Sequence, residues 1–101
     1  DSETIRRRVV AARERQLYRL KKYGCHCNAH MGHGVLKETV HVTKEAQELL
    51  RTVFDKMKLS ARSYDRILKV SQTIADLAGK EAVDADHIAE AVSYRNKLQR
   101  M

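Results

Sequence analysis

Apolar residues recur along this chain at steps of three and four, the period at which side chains stack on one face of a helix. Ile5, Val9, Ala12, Gln16 and Leu20 follow that rhythm behind Ser2 and Glu3, with Val10 and Leu17 beside them. The pattern predicts a first helix over 3–22, capped by Ser2. Three glycines, Gly24, Gly32 and Gly34, break the stretch from Tyr23 to Gly34 and mark a loop. Val35 to Val40 carries only a weak signal for a short helical turn. Thr43 can cap a second helix in which Ala46, Leu49, Leu50, Val53 and Met57 share a face, ending near Lys58. Ser60 caps a third, where Tyr64, Ile67, Leu68, Ser71, Ile74, Ala75 and Ala78 recur before Gly79 closes it. Asp84 caps a fourth, which turns Ile88, Ala91, Val92 and Leu98 inward and places Asp86 near its positive end. The expected fold is all-α, a small four-helix bundle forming one domain over 1–101, with Leu49, Val53, Ile67, Leu68, Ile74 and Val92 in its core. No internal repeat or low-complexity linker interrupts it.

Composition agrees with helix, since the 101 residues include no Pro, no Trp and one Phe. At this length one modest core can close without metals or disulfides. Charge adds a bias toward polyanions: 20 Lys and Arg against 13 Asp and Glu give +7. The excess lies early, in Arg6, Arg7, Arg8, Arg13, Arg15, Arg19, Lys21 and Lys22. Arg8, Arg15, Arg19 and Lys22 share a helix face that fits a phosphate backbone, and a stand-alone basic DNA-binding bundle is the rival reading from another functional class. No aromatic residues interleave with those charges, as single-strand binding favours. No segment is apolar and long enough to span a bilayer or to serve as a signal-peptide core, so a cytoplasmic chain with no membrane partner is expected. The start at Asp1 fits a fragment of a longer chain.

Independent catalysis is not expected. The chain has no Gly-rich phosphate loop ending in Lys-Ser or Lys-Thr and no apolar strand ending in paired acids for magnesium, so it cannot hydrolyse ATP alone. Ser60, Ser71 and Ser93 read as caps or helix-face residues rather than nucleophiles. Cys25, His26, Cys27, His30 and His33 crowd into nine residues. Structural zinc sites usually draw a second ligand pair from elsewhere, however, and only His41 and His87 are at hand. No metal is expected there, and Cys25 and Cys27 read as free thiols. On the third helix Arg62, Arg66, Lys69 and Thr73 step by four, three and four, opposite the stripe of Tyr64, Ile67, Ser71 and Ile74. Pattern alone favours a solvated face.

A resemblance changes that preference. The run Leu59-Ser60-Ala61-Arg62-Ser63-Tyr64-Asp65-Arg66-Ile67-Leu68-Lys69-Val70, continued in Thr73-Ile74-Ala75-Asp76-Leu77-Ala78-Gly79, closely resembles the C-terminal domain of magnesium-chelatase-like AAA+ ATPases of the ComM competence type. The same pattern is present in Ile5-Arg6-Arg7-Arg8-Val9, in Ala12-Arg13-Glu14-Arg15-Gln16, in Cys27-Asn28-Ala29 with Met31, and in His87-Ile88-Ala89-Glu90-Ala91-Val92 with Tyr94-Arg95, so it covers nearly the whole chain. The histidines at 26, 30 and 33, and the glycines at 32 and 34, depart from the family's usual residues. The resemblance implies a helical lid over ATP with Mg bound by the parent protein, and nothing bound by the isolated fragment. It places the sensor-2 arginine on Arg62, with Arg66 and Lys69 further along the same face as nucleotide-binding candidates. It implies as partners the preceding AAA+ core of the same chain, the neighbouring subunits of a hexameric ring, and DNA through the parent, whose work would be branch migration during natural transformation. The lid of a true magnesium chelatase subunit is the rival parent.

Overall fold

The computed structural model describes the backbone of residues 2–100 and the side chains of residues 2–95. Among the described residues five α-helices follow one another: α1 Ser2–Leu20, α2 His33–Thr39, α3 Lys44–Met57, α4 Ala61–Leu77 and α5 Ala85–Arg100. Short 3₁₀ turns at Lys21–Tyr23 and Asn28–His30 occupy half of the segment between α1 and α2. The weak signal at Val35 to Val40 thus belongs to a two-turn helix that begins at His33 and contains Gly34, and the expected four helices become five. Gly34 lies in the first turn and its Cα faces open space, so the glycine there neither packs a neighbour nor stops the helix.

The helix ends are set by local chemistry. Thr43 accepts a hydrogen bond from the Ala46 N–H, and Ser60 accepts one from the Ser63 N–H, each satisfying a donor that the first turn leaves without an intrahelical partner. Gly79 sits at φ +73°, and its N–H bonds to the Asp76 carbonyl while the Lys80 N–H bonds to the Ala75 carbonyl. That pair of bonds closes α4 in a Schellman motif, which needs a left-handed residue at this position. At the start of α5 the Asp84 carboxylate accepts from the Ala85 N–H at 2.9 Å and the Thr43 hydroxyl at 3.1 Å, while the His87 ring nitrogen accepts from the Asp84 N–H. These contacts give a reciprocal cap.

The Ala85 N–H, then the Thr43 hydroxyl, hold the Asp84 carboxyl below its ordinary value of 3.8. A depressed carboxylate stabilises the fold at neutral pH, and its contribution disappears as pH falls through the lowered value. An NMR titration should therefore give Asp84 a midpoint below 3.8, with the Ala85 amide shifting in step. A midpoint at or above that value would mean that the cap does not form.

α4 is the central element and packs against α1, α2 and α5, while α3 packs on α5. A parallel bridge joins Val42 to Val83 and ties the segment before α3 to the segment before α5. The core comprises Leu20, Met31, Leu36, Ala46, Leu50, Leu59, Ile67, Leu68, Ala75, Val83, Ile88 and Ala91. Of the expected core residues, Ile67 and Leu68 are buried, while Leu49, Val53, Ile74 and Val92 are half-buried and pack against that centre. Leu98 lies outside the described side chains. Met31, Leu59 and Val83, all between α-helices, contribute core volume that helical periodicity could not assign.

The first helix departs from expectation in another way. Ala12, Gln16 and Leu20 are buried, but Ile5 is 62 % exposed and Val9 36 %, although all five lie on one stripe. Chemical denaturation should register this difference: Ile67→Val is expected to cost about 0.5–1.5 kcal/mol, because it removes one buried methylene group. Ile5→Val should leave stability unchanged within error. Equal losses at the two positions would mean that the upper turns of α1 are covered.

Candidate functional site

The surface of α4 is presented by a helix that a buried polar network holds in place. Asp76 lies in the last turn of α4, where the partial negative charge of the helix end disfavours a carboxylate. The Asp76 side chain is 1 % exposed, and four donors compensate it. Arg19 reaches across from α1 with both terminal nitrogens, Nη1 to Oδ1 at 3.0 Å and Nη2 to Oδ2 at 2.9 Å, a forked pairing. Gln72 Nε2 bonds to Oδ1 at 3.1 Å, and Asn28 Nδ2 bonds to Oδ2 at 3.0 Å.

Asn28 is itself saturated. Its backbone N–H bonds to Gln16 Oε1, its Nδ2 also donates to Thr73 Oγ1, and its Oδ1 accepts from Arg19. One turn at Asn28–His30 is thereby pinned to both α1 and α4. Arg15 reaches the same end of α4, since its Nη2 would lie 3.7 Å from a Cβ added at Gly79. Arg19 does not belong to a phosphate-facing stripe with Arg8, Arg15 and Lys22, because its charge is paired inside the domain. The Lys22 ammonium lies 5.2 Å from the centre of the Tyr23 ring.

Three cations stand on the outer face of the anchored helix. Arg62, in the first turn of α4, and Arg66, one turn on, are exposed and form no hydrogen bond or ion pair among the described residues. Lys69 is half-buried and directs its ammonium to the Ala29 carbonyl at 3.5 Å. Thr73, the fourth member of the sequence stripe, faces inward and takes the Asn28 amide. Arg62, Arg66 and Lys69 line one open recess together with Asp65, whose carboxylate meets His33 Nδ1 at 3.0 and 3.1 Å. Sequence reasoning passed over Asp65, although its spacing from Arg62 and Lys69 puts it on the same face. His33, 32 residues away, left no such trace.

Beside this recess, α2, α3 and α4 enclose an apolar cleft lined by Leu36, Val40, Leu50 and Leu68, with Phe54 and Tyr64 in an edge-to-face pair. Cys25 and Cys27 are free thiols, and the Cys25 thiol donates weakly to the Tyr23 and His30 carbonyls. Among the described residues no three His, Cys, Asp or Glu side chains converge as a metal site. None of the described helices is long and apolar enough to cross a membrane.

Similarity to known proteins extends over this whole framework. Residues 1–95 match the family described as magnesium chelatase, subunit ChlI C-terminal. The chain is 36 % identical over 94 residues to Competence protein ComM of Haemophilus influenzae, covering 93 % of this chain and 18 % of that protein. It is 38 % identical over 94 residues to Uncharacterized protein YifB of Salmonella typhimurium, with the same 93 % and 18 % coverage. An uncharacterised protein of Mycobacterium tuberculosis is 36 % identical over 91 residues, covering 90 % of this chain and 18 % of that protein. The chain thus spans less than a fifth of the length of these relatives. No solved structure matches it. The chain belongs to the magnesium chelatase subunit ChlI C-terminal family.

Proposed function

We propose that this domain is the lid of an AAA+ ATPase, closing over ATP with Mg held by a preceding core domain, and that Arg62 contacts the terminal phosphate. The observation that carries the reading is the pair of exposed guanidinium groups of Arg62 and Arg66 on the outer face of α4, unpaired among the described residues. Cations of this kind fit a polyphosphate and not a metal ion, and a guanidinium can fork across two phosphate oxygens. ATP supplies the polyanion whose charge changes on hydrolysis. Arg62 binds and orients that end of the nucleotide, and loss of the contact shifts the lid relative to the core. The network around Asp76 transmits the shift, because it locks α4 to α1 and to the turn at Asn28–His30 so that the domain moves as one body.

The parent assembles as a hexameric ring and works on DNA, with branch migration in competence as the process; of these, the link to competence is supported by the name of the Haemophilus influenzae relative. A magnesium chelatase subunit is the second reading, supported by the family's description. ATP hydrolysis by the full-length protein with and without branched DNA tests both points. Arg62→Ala should depress turnover, and DNA should stimulate the unaltered protein. Turnover indifferent to Arg62→Ala would remove the lid reading, and indifference to DNA would favour the chelatase parent.

A further inference from the structure

We infer that His33 is a positioning residue for Arg62: by engaging the Asp65 carboxylate, it prevents that carboxylate from pairing with Arg62 and leaves the guanidinium open to phosphate. The inference rests on the nucleotide-facing role proposed above for Arg62.

Asp65 is three residues after Arg62 and four before Lys69, the two spacings at which oppositely charged side chains meet on a helix. The acid four residues ahead of the base is the favoured order, so Lys69 and Arg62 are the default partners of Asp65 on its own helix. Neither pairing forms. His33 Nδ1, at the start of α2, lies 3.0 and 3.1 Å from the two carboxylate oxygens. The Asp65 side chain is 22 % exposed whereas that of His33 is 70 % exposed, so the carboxylate is tucked against the domain and the imidazole covers it from outside.

Lys69 is diverted in the same way. Its ammonium goes to the Ala29 carbonyl, in the turn that the buried network fixes. The segment from that turn into α2 therefore engages both the acid and the distal base of the stripe. Arg62 and Arg66 are left without partners among the described residues. Asp65 lines both the cationic recess and the adjoining apolar cleft, so its carboxylate has space on the Arg62 side when His33 is absent.

The test is steady-state ATP hydrolysis by the full-length protein, comparing unaltered chain, His33→Ala, Asp65→Asn, the double variant and Arg62→Ala. His33→Ala should raise KM for ATP about two- to five-fold, the size of an exposed ion pair, with a smaller change in kcat, because an Asp65 to Arg62 pair would have to break before ATP binds and would be absent from the bound states in which Arg62 acts on turnover. Asp65→Asn should lower KM, because a negative charge beside the phosphate is removed. The double variant should return to the unaltered KM or below, since no carboxylate remains to compete. A residue that merely buttressed α2 would leave the double variant at least as impaired as His33→Ala, and that result overturns the inference. Unaltered kinetics in His33→Ala alongside impaired Arg62→Ala would also overturn it while leaving the lid reading intact. Unaltered kinetics in Arg62→Ala would sink the lid reading and this inference with it.

Discussion

Replacing Asp76 with Ala should destabilise the domain by about 3–5 kcal/mol, measured by chemical denaturation of the isolated chain, because it strands a paired guanidinium inside the structure. Four donors converge on this carboxylate, whose side chain is 1 % exposed, so their lost bonds are not readily replaced. Asn28 would lose one of its anchors at the same time, loosening the turn that joins α1 to α4. Asp65→Ala is the control on the same helix. Its partner is exposed, so the expected loss is under about 1 kcal/mol. A loss below about 1 kcal/mol for Asp76→Ala as well would mean that apolar packing alone holds α1 on α4.

The caps were legible from sequence because each is a local contract: Thr43, Ser60 and Asp84 serve donors one to three residues away, and Gly79 is needed wherever a helix ends in a left-handed turn. The Asp76 network was hidden for the opposite reason. Asn28, Gln72 and Asp76 are residue types that usually face solvent, and Arg19 meets Asp76 across 57 residues of sequence. Asp76 gave the one available hint, being an acid at the wrong end of a helix dipole. Periodicity also overreached on α1. It located the apolar stripe through Ile5 and Val9 correctly, but a stripe states which face seeks cover and not whether the domain provides any. In the candidate site the outward direction of Arg62 and Arg66 follows from helical spacing alone, whereas the contact of His33 with Asp65 depends on where α2 docks. Gly32 and Gly34 concealed α2 itself, since glycine weakens the helix signal without forbidding the helix.

Arg62→Ala should leave folding stability unchanged within about 0.5 kcal/mol, since the side chain is exposed and bonded to nothing else described. On the lid role proposed above, the same change in the full-length protein should lower ATP turnover about 30- to 1000-fold. A single charge-assisted contact to developing phosphate charge is typically worth ~2–4 kcal/mol, at a factor of ten for each 1.4 kcal/mol. Nucleotide affinity should fall less than turnover, because a contact that strengthens in the transition state acts mainly on kcat. Arg62→Lys should fall between the two, retaining the charge and losing the planar fork. Arg66→Ala should give a smaller loss, and Lys69→Ala a smaller one still, since the ammonium is already turned toward the Ala29 carbonyl. Both lesser effects should shrink as added salt screens them, while the Arg62 effect should persist to the extent that the proposed lid closure shuts its phosphate contact off from solvent. The gradient along α4 is the discriminating measurement: equal losses at all three positions would indicate a diffuse polyanion surface and not a phosphate contact centred on Arg62.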